Sequence, residues 1–148
     1  MSLISFVKIR RNTTESMKQS ILESLDLIEY SLRNDTKNVV IKPNLCYYWD
    51  YSTGQTTDPK FVAALIDLIR EKVPPNTDIS IVESDASAMK CKHVFKMLGY
   101  EKLAKDYNVR LVNLSEDSSE IIQVTAGKQS FNLPVAKKIL QADNHPGF

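Results

Sequence analysis

Val39-Val40-Ile41-Lys42-Pro43-Asn44-Leu45 is a β-branched run that breaks into a lysine, a proline and an amide. Apolar residues with no period-2 alternation suit a strand covered on both faces, because neither side then meets water. A loop follows from Pro43 to Thr57, and Asp58-Pro59 opens a helix. The acid caps the start, and the proline lacks an N–H that the first turn would leave unbonded anyway. Val62, Leu65, Ile66 and Ile69 give that helix one apolar face, and Pro74-Pro75-Asn76 ends it.

The same alternation extends in both directions. Upstream, Phe6-Val7-Lys8-Ile9 predicts a first strand. Met17, Ile21, Leu25, Ile28 and Leu32 then fall on one helical face, with Thr13 or Thr14 as the cap. Downstream, Ile79-Ser80-Ile81-Val82 predicts a third strand, Val94, Phe95 and Leu98 a helix ending at Gly99, and Tyr100 to Tyr107 a short helix. Val109-Arg110-Leu111-Val112 reads as a fourth strand. Ile121 to Val124 and Gln129 to Phe131 form a hairpin around Ala126-Gly127, and Pro134 to Ala142 a last helix. The expected fold is a single α/β domain over residues 1–148. It is a three-layer, Rossmann-like architecture: a mostly parallel sheet of four or five strands, helices on both faces and a small C-terminal hairpin.

Composition narrows the function classes. Of 148 residues, 43% are hydrophobic and 25% charged, enough for one real core. The formal net charge is +1, from 19 basic and 18 acidic residues. That lacks the basic excess of a nucleic-acid binder, so no nucleic-acid partner is expected. Lys90, Lys92, His93 and Lys96 read as a solvated helix face. Residues 1–7 are too short for the apolar core of a signal peptide, and no run approaches the roughly 18–20 residues that span a bilayer. Cys46 and Cys91 are the only cysteines, too few for a disulfide framework or a four-cysteine metal site, and free thiols suggest a cytoplasmic setting.

Ligands of parallel α/β sheets bind beyond the carboxyl ends of the strands. There, Lys42, Asn44, Thr56 and Thr57 suit an anion, close to the free N–H groups of a helix start. Alternatively Pro43-Asn44 is turn chemistry and Thr57 and Asp58 are helix caps. Tyr47, Tyr48, Trp49 and Tyr51 must pack on a ligand, a partner or the domain itself. Glu83 and Asp85 are the candidate acid–base or metal-binding pair, unless Asp85 or Ser87 caps the next helix. Asn113 to Asp117 reads as a solvated turn. Cys91 and His93, two apart on a helix, cannot converge, and Cys46 meets either only if the fold brings their loops together. With Gly54, Gly99, Gly127 and Gly147 alone, the chain has no Gly-x-Gly-x-x-Gly, no Walker A loop and no Gly-x-Ser-x-Gly elbow.

These loops also carry a resemblance. Val39 to Leu45, Thr56-Thr57-Asp58-Pro59, Ile81-Val82-Glu83-Ser84, Phe95 to Gly99 and Val109 to Leu114 resemble, in order and spacing over roughly residues 3 to 143, the domain of unknown function numbered 362. The resemblance implies a Rossmann-like layout and leaves the biochemical role undefined. Some members carry ferredoxin-type cysteine clusters; those cysteines are absent here, which removes the case for an iron–sulfur cofactor. In the family, a segment like Ala136 to Asp143 leads into a further strand and a lysine- and histidine-bearing loop. This chain instead ends in Asn144-His145-Pro146-Gly147-Phe148, so it is expected to be the N-terminal half of a longer family domain.

The leading expectation is an anionic small molecule bound by Lys42, Asn44, Thr56 and Thr57, with Glu83 and Asp85 as catalytic groups, no metal site and no identified cofactor. Whether the chain is an enzyme stays open. The alternative is an interaction or oligomerisation module, forming a homodimer or pairing with a missing partner chain through its aromatic loop and unfinished sheet.

Overall fold

A computed structural model describes residues 3–45 and 47–143; Cys46 and the C-terminal residues 144–148, including His145, lie outside them. The elements are α1 (Thr14–Leu27), β1 (Asn38–Ile41), a 3-10 turn (Tyr51–Thr53), α2 (Pro59–Lys72), β2 (Asp78–Glu83), α3 (Cys91–Met97), α4 (Tyr100–Asp106), β3 (Arg110–Asn113), β4 (Ser119–Ala126), β5 (Gln129–Ala136) and α5 (Lys137–Leu140). The caps read from sequence form: Thr13 accepts from the Ser16 amide at 3.3 Å, and Asp58 from the Lys60 amide at 2.8 Å.

The architecture is mixed α/β. β1, β2 and β3 form a parallel sheet in that order, with Ile41 opposite Ile81 and Ile81 opposite Leu111. β4 and β5 form a separate antiparallel hairpin. The strand order never reverses, so right-handed crossovers deliver every connecting helix to the same face. Ile79 and Ile81 of β2 accordingly pack with Val62, Ile66 and Ile69 of α2 and with Val94, Phe95, Tyr100 and Leu103 in one core. α1 lies outside α2, where Met17 and Ile21 meet Ala64 and Leu68.

Ser80 and Val82 point to the opposite face and are also fully buried. Short C-terminal structure reaches that side. The Lys138 ammonium contacts Asp78 at 2.6 Å, and Arg110 bonds the same carboxylate. At the start of β1, Asp143 donates its N–H to the Asn38 carbonyl at 3.0 Å, while its carboxylate accepts from the Lys37 and Asn38 amides.

Several expectations change. The parallel sheet among the described residues has three strands rather than four or five, and its longer helices share one face. Phe6 to Ile9 form no strand: Phe6 is 95% exposed, while Val7 and Ile9 lie with Ile21 and Phe61 on the flank of α1. A short apolar run can be satisfied by a helix surface as well as by a sheet, and its period does not say which. α1 ends at Leu27 rather than near Leu32, because Glu29 takes a left-handed conformation, φ 55°, that a helix cannot continue. The hairpin is longer than expected and absorbs Pro134, leaving only Lys137–Leu140 helical. A proline is tolerated there because, among the described residues, β5 pairs on one side only. No helix of the described residues is long and apolar enough to cross a membrane.

Core and hairpin should respond differently to truncation. Ile81→Ala, at a fully buried position, is expected to lower unfolding free energy by about 2–5 kcal/mol. Ile121→Ala, at a residue 64% exposed on the hairpin, should stay within about 0.5 kcal/mol of wild type. Urea denaturation of both variants checks the contrast.

Candidate functional site

The parallel register brings the carboxyl ends of β1 and β2 side by side, so the first residue after β1 and the last of β2 become neighbours. They are Lys42 and Glu83, and the Lys42 ammonium donates to Glu83 Oε2 at 2.9 Å. The other Glu83 oxygen accepts the Ser84 amide at 2.8 Å. The two groups differ in exposure: the Glu83 side chain is 8% exposed and that of Lys42 51%. A buried carboxylate needs a counter-charge, and a lysine reaching in from the rim supplies it while keeping its stem near water. Together with Asn44, Tyr47, Asp85 and Met89, the pair lines a cleft of about 290 Å³.

Asp85 occupies the same cleft but its carboxylate is already engaged. It accepts from Lys90 Nζ at 2.7 Å, the Cys91 amide at 2.9 Å and Asn113 Nδ2 at 3.1 Å. Lys90 beside it holds the carboxyl below the usual carboxylate range, with the Cys91 amide adding to the effect. This is a structural anchor: it ties the start of α3 to the end of β3, although the N-cap position of α3 is Lys90 rather than Asp85 or Ser87. Asn113 and Ser115, read from sequence as a solvated turn, in fact hold Asp85, since Ser115 Oγ accepts the Asp85 amide at 2.9 Å.

The anion set divides. Asn44 donates its amide to Thr57 Oγ1 at 3.0 Å, accepts the Thr57 amide at 2.8 Å and donates its side-chain N–H to the Gln55 carbonyl at 2.6 Å. The Thr57 carbonyl accepts the buried Tyr100 hydroxyl at 2.9 Å. Asn44 and Thr57 thus close the 44–57 loop at its base, and only Asn44 lines the cleft. Thr56 is buried in a neighbouring cavity of about 270 Å³ with Asp50, Tyr51, Pro59 and Met97, and its hydroxyl has no partner among the described residues. Of the six residues expected at the site, Lys42, Asn44, Glu83 and Asp85 converge; Thr56 and Thr57 do not. Met89 was not singled out from sequence, and an isolated methionine carries no signal that could have found it.

The aromatic loop stays at the surface. Tyr47, Tyr48, Trp49 and Tyr51 are each 38–45% exposed, and the Tyr47 and Trp49 rings sit 5.3 Å apart. Tyr47 alone of the four lines the cleft, held in a left-handed conformation, φ 53°. Cys91 is buried, and burial pushes its thiol up to about 12, with Glu83 and Asp85 adding to the rise. Cys46, which could meet it only if the fold brought their loops together, lies outside the described residues. Among those residues no cluster of histidine, cysteine, aspartate and glutamate could hold a metal ion.

Compared with known proteins, residues 39–145 match one family model, described as Domain of unknown function (DUF362). The match begins within β1 and leaves out α1 and everything before it, a narrower span than the resemblance implied. No curated protein and no solved structure matches the chain.

Two measurements follow from this geometry. A carboxyl depressed on folding stabilises fully above its unfolded value, about 3.9, and loses that contribution as pH falls through the lower folded value. Asp85→Asn should therefore be less stable than wild type near pH 7, and the difference should shrink towards about pH 2, as read by denaturant melts at both. Cys91 should resist iodoacetamide in the folded protein near pH 8 and react once unfolded, because the thiolate is the nucleophile; peptide mass mapping reports its labelling separately.

Proposed function

The chain belongs to the DUF362 family, and from that premise we propose that it binds an anionic small molecule in the cleft between Lys42 and Glu83. The observation that supports this most is the uneven burial of the pair. Glu83 is buried and held by the Ser84 amide, whereas Lys42 at the rim spends one of its three donors on it. The remaining donors meet an incoming oxyanion, and Asn44 and Tyr47 border the same space. In this reading Glu83 is the group placed to exchange a proton with the ligand, and Asp85 is a fixed charge that orients the wall. Thr57 keeps the loop in place through its bonds to Asn44. In the same reading the protein is cytoplasmic and its three parallel strands are part of a mostly parallel, Rossmann-like sheet of four or five.

One observation favours a second reading, an interaction module. Four large aromatics within five loop residues keep well over a third of their surface in water. Burying them in a homodimer or against another chain would remove that apolar surface from solvent.

A thermal-shift panel of inorganic phosphate, nucleotides, phosphorylated metabolites and divalent metals tests the first reading. An anion at a hundredfold excess over its Kd should stabilise the fold by about 2.7 kcal/mol. That stabilisation should vanish in Lys42→Ala and persist in Lys128→Ala, at the hairpin turn. No response to any anion would remove the proposal and leave the module.

A further inference from the structure

Among the described residues β1 pairs with β2 alone, and only Asp143 reaches its other edge. The phase of the ladder is set by the Asp78 amide, which donates to the Lys37 carbonyl at 2.8 Å. Residues two apart share a direction, so Val39 and Ile41 turn their backbone groups to β2 while Asn38 and Val40 turn theirs outward. Asp143 occupies both groups of Asn38. The Val40 N–H and carbonyl have no partner among the described residues. A groove of about 350 Å³ runs beside this edge, walled by Leu25, Tyr30, Leu32, Leu65 and Ile69. An open backbone edge next to an apolar trough fits an added strand with apolar side chains.

The chain also contains a segment with the opposite deficit. Residues 3–9 make no backbone–backbone hydrogen bond among the described residues, and Leu3, Ile4 and Phe6 are 64%, 91% and 95% exposed. In extended chain, Ile4 and Phe6 share one face while Val7 and Ile9 share the other. The second pair lines a shallow cavity on its own domain with Ile21 and Phe61, and Ser5 is pinned to Ser24 at 2.6 Å. Ile4 and Phe6 are therefore presented outward while Ser5 stays bonded to α1, a bond that a return of the segment to its own β1 would break. We propose that the outer edge of β1 takes Leu3–Ile9 of a second copy of this chain as an added strand, reciprocally in a two-fold dimer. One seven-residue strand is about 23 Å long. A specific interface buries roughly 1,200 Å² or more in total, and two-fold reciprocity supplies two such strand contacts towards it. This surface is separate from the Lys42–Glu83 cleft.

The test combines light scattering with hydrogen exchange of the Val40 amide, on the full chain and on Ile4→Asp/Phe6→Asp. Both positions are over nine-tenths exposed in the single copy, so the variant should keep its fold and its melting temperature as a monomer. The expected result is a dimer with a protected Val40 amide, and a variant that is monomeric and exchanges Val40 rapidly. A monomeric wild type with unprotected Val40 overturns the proposal. So does a dimer that survives the double substitution, which would place the interface elsewhere. A monomer whose Val40 protection is lost in the variant also overturns it, because the segment would then be serving its own sheet.

Discussion

β2 has no side that faces water. It is paired on both edges, Ile79 and Ile81 fill the helix-covered face, and Ser80 and Val82 are fully buried on the other. A strand in that position can carry charge only at its ends, because an unpaired charge within it would bear the full desolvation penalty. The chain follows that constraint. Asp78 at one end meets Lys138 and Arg110, and Glu83 at the other meets Lys42. The first end is closed over by C-terminal structure, whereas the second opens on a cleft. The candidate site is therefore the accessible end of the most buried element in the molecule.

Around that cleft, polar groups divide by how many partners they have. Asp85, Asn44 and Thr57 are tied into local bonds that join loops to helix starts, and each bond left unmade would cost more than a made one contributes. Lys42 is engaged once and half exposed. Groups of the first kind give the cleft its shape; a group of the second kind is available to a ligand. The two roles arise from the same residue types, so they are distinguished by partners rather than by chemistry.

Much of this was legible in the sequence. Asp58-Pro59 announced a helix start, and the Val39–Ile41 and Ile79–Val82 runs announced strands, because caps and β-branched runs act over a few residues. Only the second run is buried on both faces, the first being half-buried at the sheet edge. The convergence of Lys42 with Glu83 was legible too, given the general rule that parallel strands gather their carboxyl-end loops. Phe6–Ile9 was misread for a physical reason: its apolar pattern states that something must cover it but not whether a sheet or a helix does so. The faces of the sheet were misread because handedness and strand order decide them jointly, and order is not a local property.

What the sequence determined by itself is most of the elements, the caps of α1 and α2 and the residues able to bear charge, all consequences of short-range backbone and solvation preferences. Tertiary structure alone decided which of those charges is spent. It engaged Asp85 with Lys90, Cys91 and Asn113, withdrew Thr56 and Thr57 from the cleft, and left Lys42 at the rim. Such assignments depend on groups brought together from distant parts of the chain. Burial and hydrogen-bond geometry exist only once the strands have paired, so no single stretch of sequence contains them.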